Sequence, residues 1–138
     1  VAGVKIGTGP VVAPCPPPDI FHEAWLDSIQ TIRDLAPRRI MLTHFGEVTD
    51  VDTHFTKLTA LLQNWVDWMK GPFDRGEDPK TVTPVFQAYV ADQMREAGLT
   101  EQQVAQYEAA NPSWMSVAGL LRYWKKRESL LEGYVKPE

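Results

Sequence analysis

An α/β segment followed by an all-helical tail, mostly helical by content, is the fold that this sequence predicts. Three observations carry that expectation. A short apolar run, Arg39 to Thr43, interrupts two stretches of helical periodicity, as a buried strand between helices does. Gly71 to Lys80 is polar and rich in helix breakers. After it come three punctuated helix patterns and no further strand. Residues 1–71 are therefore read as an α/β portion, 72–81 as a linker and 82–138 as a helical domain.

The elements follow in order. Val1 to Ile6 alternates apolar and small residues and stops at Gly7-Thr8-Gly9-Pro10, which predicts a short strand and a turn. Pro10, Pro14, Pro16, Pro17 and Pro18 remove backbone donors and fix φ, so an irregular, semi-rigid loop is expected up to Pro18. Asp19 is placed to cap a helix whose apolar face is Phe21, Trp25, Ile29, Ile32 and Ala36, ended by Pro37. Arg39 to Thr43 reads as a buried parallel strand, and His44-Phe45-Gly46 as the turn out of it. Thr49 with Asp52 has the spacing of a capping box for a helix with Val51, Phe55, Leu58, Leu62, Trp65 and Met69 on one face, ending at Gly71-Pro72.

Beyond the linker, a helix with Thr83 as cap and Pro84 in its first turn runs to Ala97. Another runs from Thr100, with Gln103 completing its capping box, to Ala110, and a third from Ser113 to Leu131 before Gly133. Trp114, Val117, Leu120, Leu121 and Trp124 form an apolar face of that last helix and read as core. Two strands are too few to complete the sheet of a layered α/β domain.

Composition narrows the function classes. The 138 residues carry 14 basic and 18 acidic side chains, a net charge of −4, shared evenly between the halves. Bulk attraction to nucleic acid or anionic lipid is not expected. No apolar run approaches the roughly 18 residues of a spanning helix, so no membrane partner is expected. Val1 to Ile6 lacks the basic leader and apolar stretch of a signal peptide. A single cysteine, Cys15, rules out an internal disulfide and favours a reducing compartment, which makes cytoplasmic the expected localisation.

Most motifs yield to plain readings. Gly7-Thr8-Gly9 begins like a dinucleotide fingerprint, but Val12 and the absence of a following helix remove the phosphate-binding mechanism. His22-Glu23 opens like a zinc-protease helix, yet Leu26 stands where the second imidazole belongs, leaving His22 as a surface residue. Asp50, Asp52 and His54 could converge on a divalent ion, although acidic residues in a first helical turn already complement the macrodipole. Cys15 has neither a base nor an electropositive setting and reads as structural. His44 stands apart because it ends a strand, where open α/β sheets place their chemistry. The alternative is a hydrogen-bonded loop histidine.

The order of Gly3-Val4, the proline loop, Pro17-Pro18-Asp19-Ile20, Ala24-Trp25-Leu26-Asp27-Ser28-Ile29, Leu35-Ala36-Pro37 and Ile40-Met41-Leu42-Thr43-His44-Phe45-Gly46 resembles the C-terminal part of metallo-β-lactamase-fold hydrolases. The tail, with Asn111-Pro112 and Gly119 to Trp124, resembles the helical extension that some members carry. The resemblance implies the C-terminal half of an αβ/βα sandwich that holds one or two metal ions, usually zinc. It does so through a His-x-His-x-Asp-His loop, another His, a bridging Asp and a last His after a strand. Only the last is matched here, by His44, with Thr43, Phe45 and Gly46 beside it to line the substrate or steady the ligand. The bridging Asp would fall immediately upstream of Val1.

On this reading the chain is a fragment of a zinc-dependent hydrolase of an ester, thioester, lactone or related bond of a small molecule, with metal-bound water as nucleophile. The isolated chain would be inactive, holds no catalytic residue of its own and need hold no zinc. It would associate with its missing N-terminal half or with itself, because the faces of Phe21, Trp25 and Ile29 and of Phe55, Leu58 and Leu62 lack a sheet to cover them. Two readings from other classes remain. One is a helical interaction module whose strand edges pair with a partner. The other is a nucleic-acid-binding segment using Arg122 to Arg127, where cations flank Tyr123 and Trp124.

Overall fold

The computed structural model describes residues 1–18 and 20–136. Strands β1 (Val4–Lys5) and β2 (Val11–Val12) precede helix α1 (His22–Asp34), strands β3 (Ile40–Leu42) and β4 (Gly46–Val48), and helices α2 (Val51–Asp74), α3 (Pro79–Glu96), α4 (Glu101–Ala110) and α5 (Ser113–Glu132). The fold is thus mostly helical. Its strands form two separate antiparallel pairs, β1 with β2 and β3 with β4. Among the described residues they do not join into a sandwich layer.

Helix α2 organises the core. Phe55, Leu58, Leu62, Trp65 and Met69, at three- and four-residue spacing, are at most 1% exposed. They belong to one continuous cluster with Trp25 and Ile29 of α1, Phe86 of α3 and Val117, Leu120 and Tyr123 of α5. Burying such a side chain contributes about 2 kcal/mol before entropy is counted. The apolar faces expected to lack a cover are therefore covered, by helices and by Val4 and Val12 rather than by a larger sheet.

The proline loop lies against α5 at Gly119, where a Cβ would overlap the Cys15 carbonyl oxygen outright and sit 2.9 Å from the Cys15 carbonyl carbon. Only a residue without a side chain permits that approach.

Several expectations are corrected. Val11 and Val12, expected in irregular loop, pair with Lys5 and Val4; the valines keep the backbone donors that the flanking prolines lack. The run Arg39 to Thr43 is not a buried parallel strand. Ile40 to Leu42 forms an antiparallel hairpin with Gly46 to Val48, and alternation leaves Met41 70% exposed. A five-residue apolar run does not by itself name its partner, and the nearest segment supplied one.

The cap of α2 is Asp50 rather than Thr49, its carboxylate accepting from the Thr53 N–H at 3.2 Å. That helix also continues through Pro72, which forfeits one backbone hydrogen bond a single turn from the end. It ends at Asp74, with Arg75 as C-cap and Gly76, at φ 66°, just beyond. Helix α3 starts at Pro79, with Asp78 at the N-cap, instead of at Thr83. Proline at a first helical position loses no bond, and the Thr83 hydroxyl donates back to the Pro79 carbonyl at 2.7 Å. Both ends of the predicted 72–81 linker are consequently helical.

Trp114, expected in the core, is 56% exposed, since α5 has just begun there. The Asp19 cap lies outside the described residues, and α1 begins at His22 with Phe21 at its N-cap. By contrast α4 carries its capping box complete: Thr100 Oγ1 accepts from the Gln103 N–H at 3.3 Å and Gln103 Oε1 from the Thr100 N–H at 2.8 Å. Among the described residues no helix is long and apolar enough to cross a membrane.

Candidate functional site

His44 is the central residue of the three-residue turn Thr43-His44-Phe45 that joins β3 to β4. The turn closes with Phe45 at φ 68° and Gly46 at φ 117°, the left-handed conformation that a three-residue hairpin requires and that costs a phenylalanine energy. All four residues from Thr43 to Gly46 are exposed. The nearest ring to the imidazole of His44 is Phe45, 6.2 Å away between centroids.

His44 borders a cleft of about 610 Å³ between the N-terminal segment, the proline loop, α1 and the start of α5. Its walls include Ile20, Phe21, Trp25, Pro112 and Met115, and Val1 lines it together with His44. Thr43, Phe45 and Gly46 do not line it. Trp25 is held as a fixed wall, because its Nε1–H donates to the Val1 carbonyl at 2.7 Å. Phe21 is held by an edge-on contact with Tyr134 at 4.9 Å. Two polar side chains at the cleft bond the chain itself: Ser28 Oγ donates to the Ala24 carbonyl at 2.9 Å and Asn111 Nδ2 to the Ala13 carbonyl at 3.2 Å. Among the described lining residues His44 alone carries an ionisable side chain.

The other histidines are structural. His54, one of the three residues considered for a divalent ion, is buried and its Nε2 lies 2.7 Å from the Ala2 carbonyl. Desolvation lowers its pKa, the Ala2 carbonyl partly opposes that, and Lys5 adds to the lowering. Asp50 is occupied as the cap, and Asp52 lies 3.6 Å from Arg33. Among the described residues no three His, Cys, Asp or Glu side chains gather as a metal site.

His22 is a correction. It was expected at the surface but is buried, because the first turn of α1 packs against α5. Its Nε2 has no hydrogen-bond partner, and its ring stands edge-on to Tyr123 at 6.3 Å. Cys15 is fully buried, and burial pushes its thiol well above its ordinary pKa, so it is no nucleophile.

Sequence reading missed the network that joins α1 to α5. Glu23 accepts from the Tyr123 hydroxyl at 3.0 Å and 3.1 Å, and from Arg127 at 2.7 Å. Burial raises the Glu23 pKa, but its backbone contact, Arg127 and Tyr123 outweigh that and hold it below the usual carboxylate range. No spacing signal links residues a hundred positions apart. Of the cationic cluster considered for nucleic acid, Arg127 belongs to this network and Arg122 donates to the Pro18 carbonyl at 2.6 Å, while Lys125 and Lys126 are exposed; Tyr123, within the cluster, is only 1% exposed. The Trp124 indole donates to the Val66 carbonyl at 2.9 Å. Tyr123 is buried, and Lys70, Arg127 and Phe73 lie against the Trp124 ring, so a stacking base would have to displace them.

No family model matches the chain, and neither the curated proteins nor the solved structures give a significant match.

Proposed function

We propose that this chain is the C-terminal portion of a zinc-dependent hydrolase of the metallo-β-lactamase type, contributing one imidazole, His44, and one wall of the substrate cleft. The observation that carries the proposal is that Val1 and His44 line a single cleft. The resemblance puts a bridging aspartate immediately before Val1 and a histidine ligand at His44. Two positions forty-three residues apart in sequence, which the resemblance assigns to one metal, thus border a common cleft.

By themselves the described residues do not fit a catalytic zinc. Such a site takes about three protein ligands and an open position, and His44 is a single imidazole with no carboxylate or second histidine gathered beside it. The remaining ligands, and the strands that would complete a sandwich on the open edges of the two hairpins, are assigned to residues outside this chain. What this chain does by its own residues is to present His44 on the β3–β4 turn and to hold an apolar wall against a small-molecule ester, thioester or lactone.

The test begins with the coding sequence around Val1. A His-x-His-x-Asp-His segment upstream and an aspartate directly before Val1 are expected, whereas a reading frame that opens at Val1 overturns the proposal. In the complete protein, His44→Ala should lower bound zinc and reduce kcat/KM for an aryl ester by about a hundredfold or more, because loss of a ligand disturbs metal affinity and water activation together. Unchanged turnover with full metal content refutes it.

One observation favours a second reading, the interaction module. The β3–β4 pair has two open edges, with Met41 70% and Phe45 58% exposed, a surface that another strand can extend. Concentration-dependent sedimentation that disappears in Met41→Lys would support it.

A further inference from the structure

We infer that the groove between the α2–α3 corner and α5 binds a small, soluble amphipathic anion: an aryl or short alkyl body that carries one carboxylate or sulfonate. The groove has a volume of about 700 Å³, within the range of small-molecule sites. It shares no lining residue with the cleft beside His44, so the inference stands apart from the hydrolase reading. Its apolar lining is Phe73, Pro79, Ala118 and Leu121. Phe73 and Leu121 are half-buried, which leaves part of each to meet a ligand.

Charge commits the groove to an anion. Ala118, Leu121, Arg122 and Lys125 recur at three- and four-residue spacing, so one stripe of α5 sets two cations beside its apolar residues, and Lys126, four residues after Arg122, adds a third. Among the described residues neither Lys125 nor Lys126 has an ion-pair partner. Arg122 gives an N–H to the Pro18 carbonyl at 2.6 Å, which fixes the side chain and leaves its charge whole. Glu77, the one carboxylate among the described lining residues, lies 2.5 Å from Arg75 Nε. Asp74 at the same corner is held by Lys70. The flanking Asp78, Lys80 and Glu128 do not line the groove, and counting them still leaves two positive charges in excess. The C-terminus of α2 and the N-terminus of α3 meet here with opposed dipoles, which offset.

Size and net charge select a small molecule. The stripe from Ala118 to Lys126 runs about 12 Å, less than the roughly three turns of an average helix that a peptide partner would lay along it. The chain as a whole carries −4, which opposes an extended anionic surface such as a bilayer or a nucleic acid. The stems of Lys125, Lys126 and Arg122 extend the apolar wall while their heads stay in water, so an anionic head pairs with them there without losing all its hydration.

The experiment uses the full chain and 8-anilinonaphthalene-1-sulfonate, an aryl sulfonate whose fluorescence rises in apolar surroundings, displaced at pH 7.5 by octanoate, octanol and octylammonium. Saturable binding of one probe per chain is expected. Octanoate should displace it about fivefold better than octanol, and better still than octylammonium. Raising NaCl from about 20 to about 300 mM should weaken octanoate about threefold and leave octanol unchanged. Lys125→Glu with Lys126→Glu should weaken probe and octanoate about tenfold or more, with unchanged circular dichroism because both side chains are exposed. Phe73→Ala, which removes apolar wall, should weaken octanoate and octanol alike, by about threefold.

Absence of saturable binding, octanol as effective as octanoate, or full affinity in the charge-reversed variant overturns the inference. Probe binding that is lost in Ala24→Phe but kept in the charge-reversed variant places the probe in the cleft beside His44 and overturns it too. So does co-sedimentation with phosphatidylserine vesicles that octanoate leaves unchanged, since the lysines would then serve a membrane surface, and so does a dimer whose formation excludes the probe, since a second copy would then occupy the groove.

Discussion

Gly119→Ala separates two physical effects of opposite sign. Gly119 lies in the interior of α5, where alanine is favoured over glycine by about 1 kcal/mol on helix propensity alone. The new Cβ, however, would overlap the Cys15 carbonyl oxygen and lie 2.9 Å from the Cys15 carbonyl carbon and 3.1 Å from that of Pro16. These are backbone atoms in a proline-stiffened loop and cannot rotate away. The loop must lift. Forced overpacking costs about 1–3 kcal/mol, and a lifted loop also uncovers Cys15, now fully buried, at about 1.5 kcal/mol. After subtracting the propensity gain, a net loss of about 2.5 kcal/mol is expected. For a chain of this length that lowers Tm by about 10 °C. Thermal unfolding followed by circular dichroism at pH 7.5 reads the shift. A variant as stable as the parent, or more stable, would show that the proline loop does not rest on α5, and the cleft wall that the loop supplies would go with it.

Other expected outcomes are as direct. Tyr107→Phe should cost about 1–3 kcal/mol in urea unfolding, because the Tyr107 hydroxyl donates to the Pro10 carbonyl at 2.7 Å and accepts from the Ile6 N–H at 3.1 Å; an unchanged midpoint would mean that solvent replaces both bonds. Burial lowers the pKa of His22, with Glu23 and Asp67 opposing and Arg127 adding to the lowering, and burial lowers that of His54 as well. The unfolded chain therefore binds more protons just below the ordinary imidazole value of 6.5, so stability is complete above that pH and falls as pH drops from it toward the depressed folded values. A urea midpoint that does not move between pH 7.5 and 5, or that slopes equally in the His22→Gln, His54→Gln double variant, would contradict this.

How far the sequence could be read depends on how local the determining contact is. The capping box of α4 is legible because Thr100 and Gln103 complete it within one turn. The α2 core face is legible because 3.6-residue periodicity survives whatever covers it. Strand pairing is not local in this way: Arg39 to Thr43 has the composition of a buried strand, but its partner is a choice among distant segments, and the short hairpin was available. Prolines misled in one direction only. Pro72 and Pro84 were read as an end and a start, yet both lie within helices, where a single missing donor near a terminus is outweighed by packing. Of the candidate site, His44 was legible as a residue in a turn after a strand. The cleft beside it was not, since its walls come from four separate stretches of the chain.

The placement of His44 also bears on how cleanly its role can be measured. The continuous core runs through β1, β2 and the helices and includes neither Leu42 nor Val48, the two buried residues of the β3–β4 hairpin; Ile40 is the hairpin's point of packing against that core. The imidazole itself is exposed and lies outside the polar networks that join α1 to α5 and α4 to the β1–β2 turn. Truncating it removes almost no buried surface and leaves no buried partner unsatisfied, the two mechanisms by which a single substitution usually destabilises a protein. His44→Ala should therefore leave the fold intact, and any loss of metal or turnover in the complete protein is then a statement about chemistry at this position. His22 and His54 offer no such separation. Each is buried within the packing that holds the chain together, so a loss of activity on replacing either would report stability first and chemistry second.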